Sequence, residues 1–312
     1  MPEWDAEIDW SEEQLRARIV EARPELADTP VESLGEGFDN VAVRVGDWVF
    51  RFPRRSFGGD AMAIELRWLP LLAPALTLPI PVPEIFGAPD DESPWPWGGF
   101  RYLSGTTADR AELSESERAC LADPLAEFLA SLHRIEVPED APDDTIHRHD
   151  HRRRAPKVIE RLEKVSAEAK GELAELAAQA IPLAEELRGL PAWDGAGVWC
   201  HGDLYARHLL IEERALVAVI DWGDLHVGDR AVDLSIAWSF LPPRVHEQFL
   251  ARYIESAGVE GVDAAIWQRA RFRAVHYGAA LAEYGLAIED RAMRETARRA
   301  LRSALQGSSR AS

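Results

Sequence analysis

Two acidic motifs in the second half of the chain contain the residue types that phosphoryl transfer requires. The first spans residues 201–204 (HGDL), and the second spans residues 220–222 (IDW). Phosphoryl transfer uses one carboxylate to accept the proton of the attacking hydroxyl and another to hold the Mg²⁺ that bridges the nucleotide phosphates. Asp203 and Asp221 are therefore candidates for these two roles.

The spacing of the two aspartates predicts a β-hairpin between them. They lie 18 positions apart (221 minus 203), and each follows an apolar run typical of a strand. This separation accommodates a strand, a tight turn and a second strand. A hairpin of this kind could place both carboxylates at one mouth.

The composition is typical of a soluble globular enzyme. A chain of 312 residues, 46% hydrophobic and 29% charged, suits one large domain or two lobes. Because no apolar run could span a membrane and the N-terminus is acidic, we expect a cytoplasmic protein with no membrane partner. We also expect a monomer. The net charge of −19 argues against nucleic acid as a partner. This charge could attract a cationic substrate or simply keep the surface soluble.

Cysteine and lysine are both rare in the sequence. Cys120 and Cys200 are not spaced like metal ligands, and we expect both to be buried, reduced thiols. The only lysines are Lys157, Lys164 and Lys170. The first half of the chain therefore offers no lysine to a bound phosphate.

The first third of the chain predicts a small antiparallel sheet with few helices. Ser11 precedes a capped helix. Three short strands are expected at 31–37, 39–45 and 47–53, joined at 35–38 and by a Gly46-Asp47 hairpin turn. A helix at 61–72, an extended stretch at 79–89 and a strand at 99–103 complete this part.

After a hinge at residues 104–106 the pattern becomes mainly helical. Helices are expected at 114–135, at 152–188 with a break or a start at Pro182, after Asp229 and Asp233, from Pro242, and over two further segments to about residue 305. A polar loop covers 136–150, and the last six residues form a frayed tail. We therefore expect an N-terminal, nucleotide-binding lobe at 1–103 and a C-terminal lobe at 104–312.

These motifs resemble those of the aminoglycoside phosphotransferase family of small-molecule kinases. The residues that carry the resemblance are EGFDN at 36–40, VFRFPRR at 49–55, HGDLYARHLL at 201–210 and IDWGDLHVGDRAVDLS at 220–235. The resemblance covers most of the chain and implies an α+β fold of the bilobal protein-kinase type. It also implies Mg²⁺-dependent transfer from ATP or GTP to a small-molecule acceptor.

The resemblance implies a role for each residue of the two motifs. Asp203 corresponds to the catalytic base, for which the alternative is a turn or cap aspartate, and Asp221 corresponds to the metal-binding aspartate. Asp229 and Asp233 fall on positions that brace the catalytic loop and cap the following helix. His201 is expected to shape the turn by hydrogen bonding.

His208 departs from the family pattern, which usually has an asparagine there as a ligand of the second metal. Imidazole is a poorer ligand for a hard cation, so this metal site is weakened or tolerates Mn²⁺. A histidine at this position resembles the pattern of the macrolide phosphotransferase branch. This resemblance favours a macrolide-like acceptor over a polycationic one. The alternative is that His208 forms a hydrogen bond with Asp203 and binds no metal.

Arg51 is a second departure, because the family has a lysine that contacts the phosphates from this strand. Val49 and Arg51 share one face of the third strand, while Phe50 and Phe52 share the other. Arg51 is the candidate in register, and its permanent charge preserves the phosphate-binding role. Its expected partner is Glu65 in the following helix, for which the alternative is an exposed helix carboxylate.

The nucleotide base should be enclosed by apolar side chains and by the backbone that follows the last strand of the first lobe. The candidates are Val43 and Val49 above the base, Leu210 and Ile220 below it, and Tyr102, Leu103 and Ser104 at its edge. Each of these is equally consistent with a plain core or hinge residue.

Two further clusters have ordinary explanations. One is a group of candidate metal ligands, His147, His149, Asp150 and His151, whose interleaved arginines favour a solvated loop instead. The other is a set of aromatic residues at helical spacing that favours core packing over a ligand platform: Trp238, Trp267, Phe272, Tyr277 and Tyr284.

Three functions are consistent with these observations. The first is a kinase that phosphorylates a hydroxyl of an aminoglycoside- or macrolide-like antibiotic. The second is a metabolic kinase for a sugar, an amino alcohol or an amino acid. The third is a nucleotide-binding pseudokinase, which the missing lysine and the His208 substitution suggest and the intact aspartates oppose.

Overall fold

The chain packs as two compact units. The computed structural model describes residues 6–36, 39–148, 150–259 and 264–307. The first unit comprises the residues up to Pro74, Pro79–Ser104 and Val219–Leu225, and the remainder forms the second. The first unit thus takes up the segment around Asp221, which a division of the sequence after residue 103 does not anticipate. A backbone hydrogen bond joins this segment to the first unit, since the N–H of Val219 donates to the carbonyl of Pro79 at 3.1 Å.

The first unit is an antiparallel sheet with two helices. Its elements are α1 (Glu12–Ala22), β1 (Val31–Glu36), β2 (Asn40–Val45), β3 (Trp48–Pro53), α2 (Ser56–Leu72), β4 (Pro83–Gly87) and β5 (Trp97–Arg101). The strands lie in the order β1-β2-β3-β5-β4. Ser11 caps α1 in a reciprocal pair with Gln14, and Gly46 adopts a φ of +60° in the turn between β2 and β3. Helix α2 begins earlier than predicted, and β5 lies two residues before the predicted strand. Residues 37–38 of the predicted 35–38 turn lie outside the described residues.

The two faces of this sheet carry different side chains. Val43 is paired with Phe50, and Ala42 is paired with Arg51, in the β2–β3 register. Cross-strand partners share a face. Val43 therefore joins Phe50 and Phe52 in an apolar core that also contains residues of α1, while Arg51 lies on the opposite face.

The second unit is mainly helical. Its elements are β6 (Thr106–Thr107), α3 (Glu115–Cys120), α4 (Ala122–His133), α5 (His151–Glu168), α6 (Glu172–Arg188), β7 (Val198–Cys200), β8 (Leu209–Glu212), β9 (Ala215–Val219, whose last residue belongs to the first unit), β10 (His226–Gly228), α7 (Ala231–Phe240), α8 (His246–Ala257), α9 (Ala264–Ala287) and α10 (Arg291–Gln306). Helices α5, α6, α9 and α10 contribute to one apolar core. No helix in the described ranges is long and apolar enough to cross a membrane.

The hairpin predicted between the two acidic motifs is present. Strands β8 and β9 are neighbours, and the residues that join them, Glu213 and Arg214, have φ values of +48° and +66°. Two successive residues in the left-handed region are the signature of a tight hairpin turn. The strand that precedes Asp203, β7, pairs instead with β10, with Cys200 opposite His226.

Several helix predictions were wrong in detail. The predicted helix at 114–135 is divided at Leu121, and the one at 152–188 is divided before Gly171, whose φ of +61° is left-handed. Pro182 lies inside α6, where the burial of its neighbours Leu183 and Ala184 offsets the lost backbone hydrogen bond. Of the predicted tail, residues 308–312 lie outside the described residues.

The two cysteines have different environments. Cys200 is buried, as predicted, whereas the prediction for Cys120 was wrong, because this thiol is exposed. Cys120 ends α3, a short helix that buries none of its side chains.

Candidate functional site

Asp203 lies in a tight loop that follows β7. Gly202 adopts a φ of +86° there, a conformation that a residue with a Cβ rarely adopts. The backbone N–H of Asp203 donates to His201 Nδ1 at 3.3 Å, which is the turn-shaping bond predicted for His201. About a third of the Asp203 side chain, 32%, is exposed, so its carboxylate is accessible to a ligand.

Asp233 braces this loop from inside the second unit. One carboxylate oxygen accepts the backbone N–H of His201 at 2.7 Å, and the other accepts that of Gly202 at 3.0 Å. His133 Nε2 lies 3.3 Å from the same carboxylate. Burial raises the pKa of Asp233, but the hydrogen bonds with His133 and with the Gly202 N–H outweigh it, and the net pKa lies below its ordinary value. Asp233 therefore stays ionised and holds the loop backbone in place, as predicted.

Asp229 secures the segment that follows β10. Its carboxylate accepts the backbone N–H of Ala231 at 3.0 Å, which caps the start of α7. Its second oxygen accepts a hydrogen bond from Arg269 of α9 at 2.6 Å, and both side chains are buried. Asp229 thus has the capping role predicted for it, together with a buried ion pair that was not foreseen.

Tyr277 contacts Asp203, which sequence reasoning missed. Its hydroxyl donates to Asp203 Oδ1 at 2.8 Å. Arg273, one turn earlier in α9, donates to the same hydroxyl at 3.2 Å and to the carbonyl of Gly202 at 3.1 Å. Tyr277 is buried, as expected of a core residue, but it also binds the loop. The i,i+4 spacing of the arginine and tyrosine is the only local signal, and it does not reveal the partner.

His208 packs under the same loop. Its Nδ1 lies 2.8 Å from the backbone carbonyl of Asp203, and its ring stands edge-on to Tyr205 at 4.4 Å between centroids. A carbonyl only accepts hydrogen bonds, so Nδ1 carries the hydrogen. The role of His208 as a metal ligand stays a prediction. The Nδ1–H bond supports the turn that contains Asp203, and it is compatible with both interpretations, because a metal-bound imidazole commonly donates its other N–H to a carbonyl.

A second group of charged residues lies in the first unit. Arg51 of β3 donates to Glu65 of α2 at 2.6 Å, the pairing predicted from the sequence, and Arg51 Nη2 lies 3.9 Å from Asp221. Burial alone would lower the pKa of Arg51, but Glu65 and Asp221 raise it above its ordinary value. Burial raises the pKa of Glu65, and Arg51 opposes this shift. Arg51 therefore stays charged between two acidic groups.

Asp221 has the properties of a metal ligand. Its side chain is 52% exposed, and its φ of +65° is unusual for a residue other than glycine. Glu65 Oε1 is buried with no hydrogen-bond partner among the described residues. A Cβ at Gly223 would lie 3.6 Å from that oxygen and 3.9 Å from Asp221 Oδ1. Two carboxylate oxygens therefore border a space that a glycine leaves open, and such oxygens fit Mg²⁺.

Comparison with known proteins identifies the family. The family model for the phosphotransferase enzyme family matches residues 30–273 of this chain. The chain belongs to this family. It is therefore a phosphotransferase that acts on a hydroxyl group of a small molecule. A search of curated proteins found no match.

Solved structures of other phosphotransferases share the fold. APH(2'')-IIIa in complex with GDP and kanamycin is 24% identical, with 94% of this chain and 99% of that chain covered and a TM-score of 0.62. Macrolide 2'-phosphotransferase MphH from Brachybacterium faecium is 25% identical, with 87% and 91% covered and a TM-score of 0.54. A putative aminoglycoside phosphotransferase from Ralstonia eutropha is 14% identical, with 96% and 97% covered and a TM-score of 0.61. The α+β, protein-kinase-like fold is thus confirmed.

The residues predicted to surround the nucleotide base are only partly brought together in this phosphotransferase. Val49 lies on the face of Arg51, but Val43 lies on the opposite face, where it fills the core. Ala42 takes the place expected of Val43, and the strand register given by the Gly46 turn was the signal that could have found it.

The other predicted base contacts lie in both units. In the first unit, Ile220 directly precedes Asp221, and the backbone N–H of Tyr102 donates to the carbonyl of Asp47 at 2.9 Å. Leu103 is half-buried, and Ser104 is exposed. In the second, Leu210 is buried in β8. Their contacts with a nucleotide stay predictions.

The predicted histidine-rich cluster has structural roles where it is described. His149 lies outside the described residues. Asp150 caps α5 by accepting the N–H of Arg153, and the buried ring of His151 lies 3.0 Å from the carbonyl of Leu190. His147 adopts a φ of +54° in the loop before the helix. These contacts are consistent with the loop interpretation rather than with zinc binding.

A different group, His133, Cys200 and Asp233, brings three potential metal-ligand atoms within 4.8 Å of one another among the described residues. Burial raises the pKa of the Cys200 thiol well above its ordinary value, so the sulfur stays protonated. Both oxygens of Asp233 accept hydrogen bonds from the loop backbone. The group thus belongs to the brace of the loop that contains Asp203.

Proposed function

We propose that this phosphotransferase moves the γ-phosphoryl group of ATP or GTP to a hydroxyl of an antibiotic-like small molecule. The observation that carries this proposal is the accessible carboxylate of Asp203 in a loop held by Asp233, Tyr277 and His208. A general base must be accessible to its substrate and fixed in orientation. Asp203 meets both conditions.

In this proposal the charged residues divide the chemistry between them. Asp203 orients the acceptor hydroxyl and accepts its proton late in the transfer. Asp221 holds Mg²⁺, which neutralises charge on the nucleotide phosphates when it is bound. Arg51 binds the phosphates, as a lysine does in related kinases, and Glu65 holds Arg51 in place.

The use of a purine nucleotide is supported by the solved relatives. APH(2'')-IIIa has been solved with GDP, and APH(2'')-IIa has been solved with streptomycin and ATP. Both nucleotides therefore belong in any test of this chain.

The positive charges around Arg273 and His276 of α9 favour an acceptor that is not polycationic. Arg273 contacts both Tyr277 and the loop carbonyl of Gly202. Burial lowers the pKa of His276, its neighbour in α9, and the positive charges of Arg273, Arg154, Arg161 and Lys157 lower it further. The net charge of −19 is spread over the whole surface and is screened beyond about 10 Å, so nearby charges dominate. A macrolide-like acceptor fits this surrounding better than an aminoglycoside.

A phosphorylation screen tests the proposal. Purified protein is incubated with ATP or GTP, Mg²⁺ and panels of macrolides, aminoglycosides and small metabolic alcohols, and phosphorylated product is measured by mass spectrometry. We expect product with an antibiotic, and a loss of about 10²- to 10⁴-fold in the Asp203→Asn variant without loss of nucleotide binding.

Three outcomes would oppose this assignment. Product confined to metabolic alcohols would replace the antibiotic by a metabolic acceptor. Nucleotide binding without transfer to any acceptor would identify a pseudokinase. Full activity of Asp203→Asn would remove Asp203 from the role of base.

A further inference from the structure

Helix α9 supplies a hydrogen bond to the carboxylate that is proposed to act as the base. The Tyr277 hydroxyl lies 2.8 Å from Asp203 Oδ1 and 3.4 Å from the carbonyl oxygen of Gly202. One hydroxyl proton serves one acceptor at full strength, and the shorter contact is with the carboxylate. Oδ1 is thereby engaged, which leaves Oδ2 as the oxygen for an incoming hydroxyl.

Arg273 determines the direction in which the Tyr277 hydroxyl donates its proton. Its Nη2 donates to the phenol oxygen at 3.2 Å and to the Gly202 carbonyl at 3.1 Å. Because Arg273 fills acceptor positions on both oxygens, the phenol proton is best directed at Asp203. Within the second unit, His201 and His208 face Asp203 from the loop itself, while Tyr277 and Arg273 face the loop from α9.

The phenol stays protonated throughout the working range of an enzyme. Burial raises the pKa of Tyr277 well above its ordinary value, Arg273 opposes this shift, and Asp203 raises the pKa further. Tyr277 is therefore a permanent donor and takes no part in moving the proton.

We propose that Tyr277 is a positioning residue for the reaction, which fixes Asp203 so that Oδ2 meets the acceptor hydroxyl. This inference rests on the proposed role of Asp203. A hydrogen bond to a charged acceptor is stronger than one between neutral groups, so it restricts the rotation of the carboxylate. Tyr277 thus acts on the orientation of the base, and this effect does not require it to touch a substrate.

The first test compares Tyr277→Phe with Tyr284→Phe, which removes a phenol about two turns further along the same helix. We expect Tyr277→Phe to lower kcat by about 10- to 100-fold and to leave KM for the nucleotide unchanged, because the carboxylate loses the donor that orients it. Tyr284→Phe should keep the wild-type kcat and KM.

A second variant covers the case in which Tyr277→Phe fails to fold. Replacement of Tyr277 by 3-fluorotyrosine retains the shape and the phenol donor, and its fluorine resonance should shift when Asp203→Asn removes the charge of the acceptor. A wild-type kcat in folded Tyr277→Phe, or a fluorine resonance that Asp203→Asn leaves unchanged, would overturn the inference. So would a fall in kcat in Tyr277→Phe with an equal loss of nucleotide affinity.

A measurement without any acceptor separates this inference from the proposed function. A buried phenol proton bound to a carboxylate should give a downfield proton resonance, which should be absent from Tyr277→Phe and shifted upfield in Asp203→Asn. If the wild-type protein lacks this resonance, the inference fails whatever the reaction is. If the resonance is present but Asp203→Asn is fully active, the hydrogen bond stands and the proposed function of Asp203 fails.

Discussion

At the scale of the residue, Asp221 combines exposure with a constrained backbone. More than half of its side chain is accessible, and its φ of +65° lies in a region that costs an aspartate some backbone energy. Such a conformation persists only where surrounding contacts enforce it, and here Arg51 faces the carboxylate at 3.9 Å. This combination is expected of a residue whose position serves a ligand.

We predict that Asp221→Asn weakens the Mg²⁺ dependence of nucleotide binding. The amide keeps the shape but loses the charge that attracts a divalent cation. Calorimetric titration of nucleotide at several Mg²⁺ concentrations measures the effect, and Asp224→Asn is a control with the same charge change in the same loop. Equal Mg²⁺ dependence in the wild-type protein and Asp221→Asn would contradict the role.

The Arg51–Glu65 pair provides a second prediction. Glu65 is fully buried, so removal of Arg51 leaves a carboxylate without its partner. Arg51→Ala should lower the free energy of unfolding by about 3–5 kcal/mol and weaken nucleotide binding, while Arg51→Lys should keep part of both. Urea unfolding and nucleotide titration measure these effects.

The control for this prediction is an exposed ion pair in the same sheet. Arg101 lies 3.4 Å from Glu84, and both side chains are about half exposed. Arg101→Ala should cost less than about 1 kcal/mol. If the two alanine variants lost equal stability and bound nucleotide equally well, the special role of Arg51 would be excluded.

At the scale of the element, α9 organises the region around the proposed base. Tyr277 and Arg273 bind the loop that contains Asp203, and Arg269 pairs with Asp229 at the start of α7. These three residues recur at intervals of four along the helix, so they project from one face. One face of a single helix thus supports both the loop and the segment after β10.

We predict that Arg269→Met destabilises the second unit by about 3–5 kcal/mol, because Asp229 would remain buried and unpaired. Arg252→Met is the matched control, since Arg252 pairs with Glu127 on the surface. Addition of Asp229→Asn to Arg269→Met should recover part of the loss, and denaturant unfolding of the wild-type protein, Arg269→Met, Asp229→Asn and the double variant measures this coupling. Additive losses would show that the pair does not act as a unit.

At the scale of the whole molecule, stability should depend on pH through buried histidines. Burial is the largest cause that lowers the pKa of His151, His246 and His276, and the charge of Arg273 adds to it for His276. The unfolded chain takes up protons near a pKa of about 6.5, whereas the folded protein does not. The contribution of these neutral histidines to the free energy of unfolding is therefore complete above that pH and is lost as the pH falls below it.

We predict that the free energy of unfolding decreases between pH 7.5 and 5.5, by at most about 1.4 kcal/mol per pH unit for each histidine. His276→Asn, whose side-chain oxygen can still accept from Arg273, should reduce the slope. Denaturant unfolding across this range measures both proteins. An identical slope in His276→Asn would mean that His276 is protonated in the folded state as easily as in the unfolded chain.

Much of this architecture followed from local sequence. Alternation along β3 placed Arg51 and Val49 on one face, the capping signal at Ser11 placed the start of α1, and the spacing of Asp203 and Asp221 predicted the β8–β9 hairpin. Each depends on neighbours a few positions away, where the strand and helix periods act directly.

Other features did not follow from the alternation within a single element. Val43 was placed on the wrong face because the pairing register of β2 and β3, which the Gly46 turn sets, decides which residues share a surface. The chain segment around Asp221 joined the first unit through a bond with Pro79, far away in the sequence. Tyr277 meets Asp203 across 74 positions.

The division has a physical reason. The sequence by itself determined the residue types of the site and the elements that carry them, because turn hydrogen bonds and the side-chain periods of strands and helices depend on residues a few positions apart. The tertiary structure alone decided that Tyr277 of α9 would be the donor to Asp203, since that contact arises from the packing of a helix whose apolar pattern is equally consistent with a plain core residue.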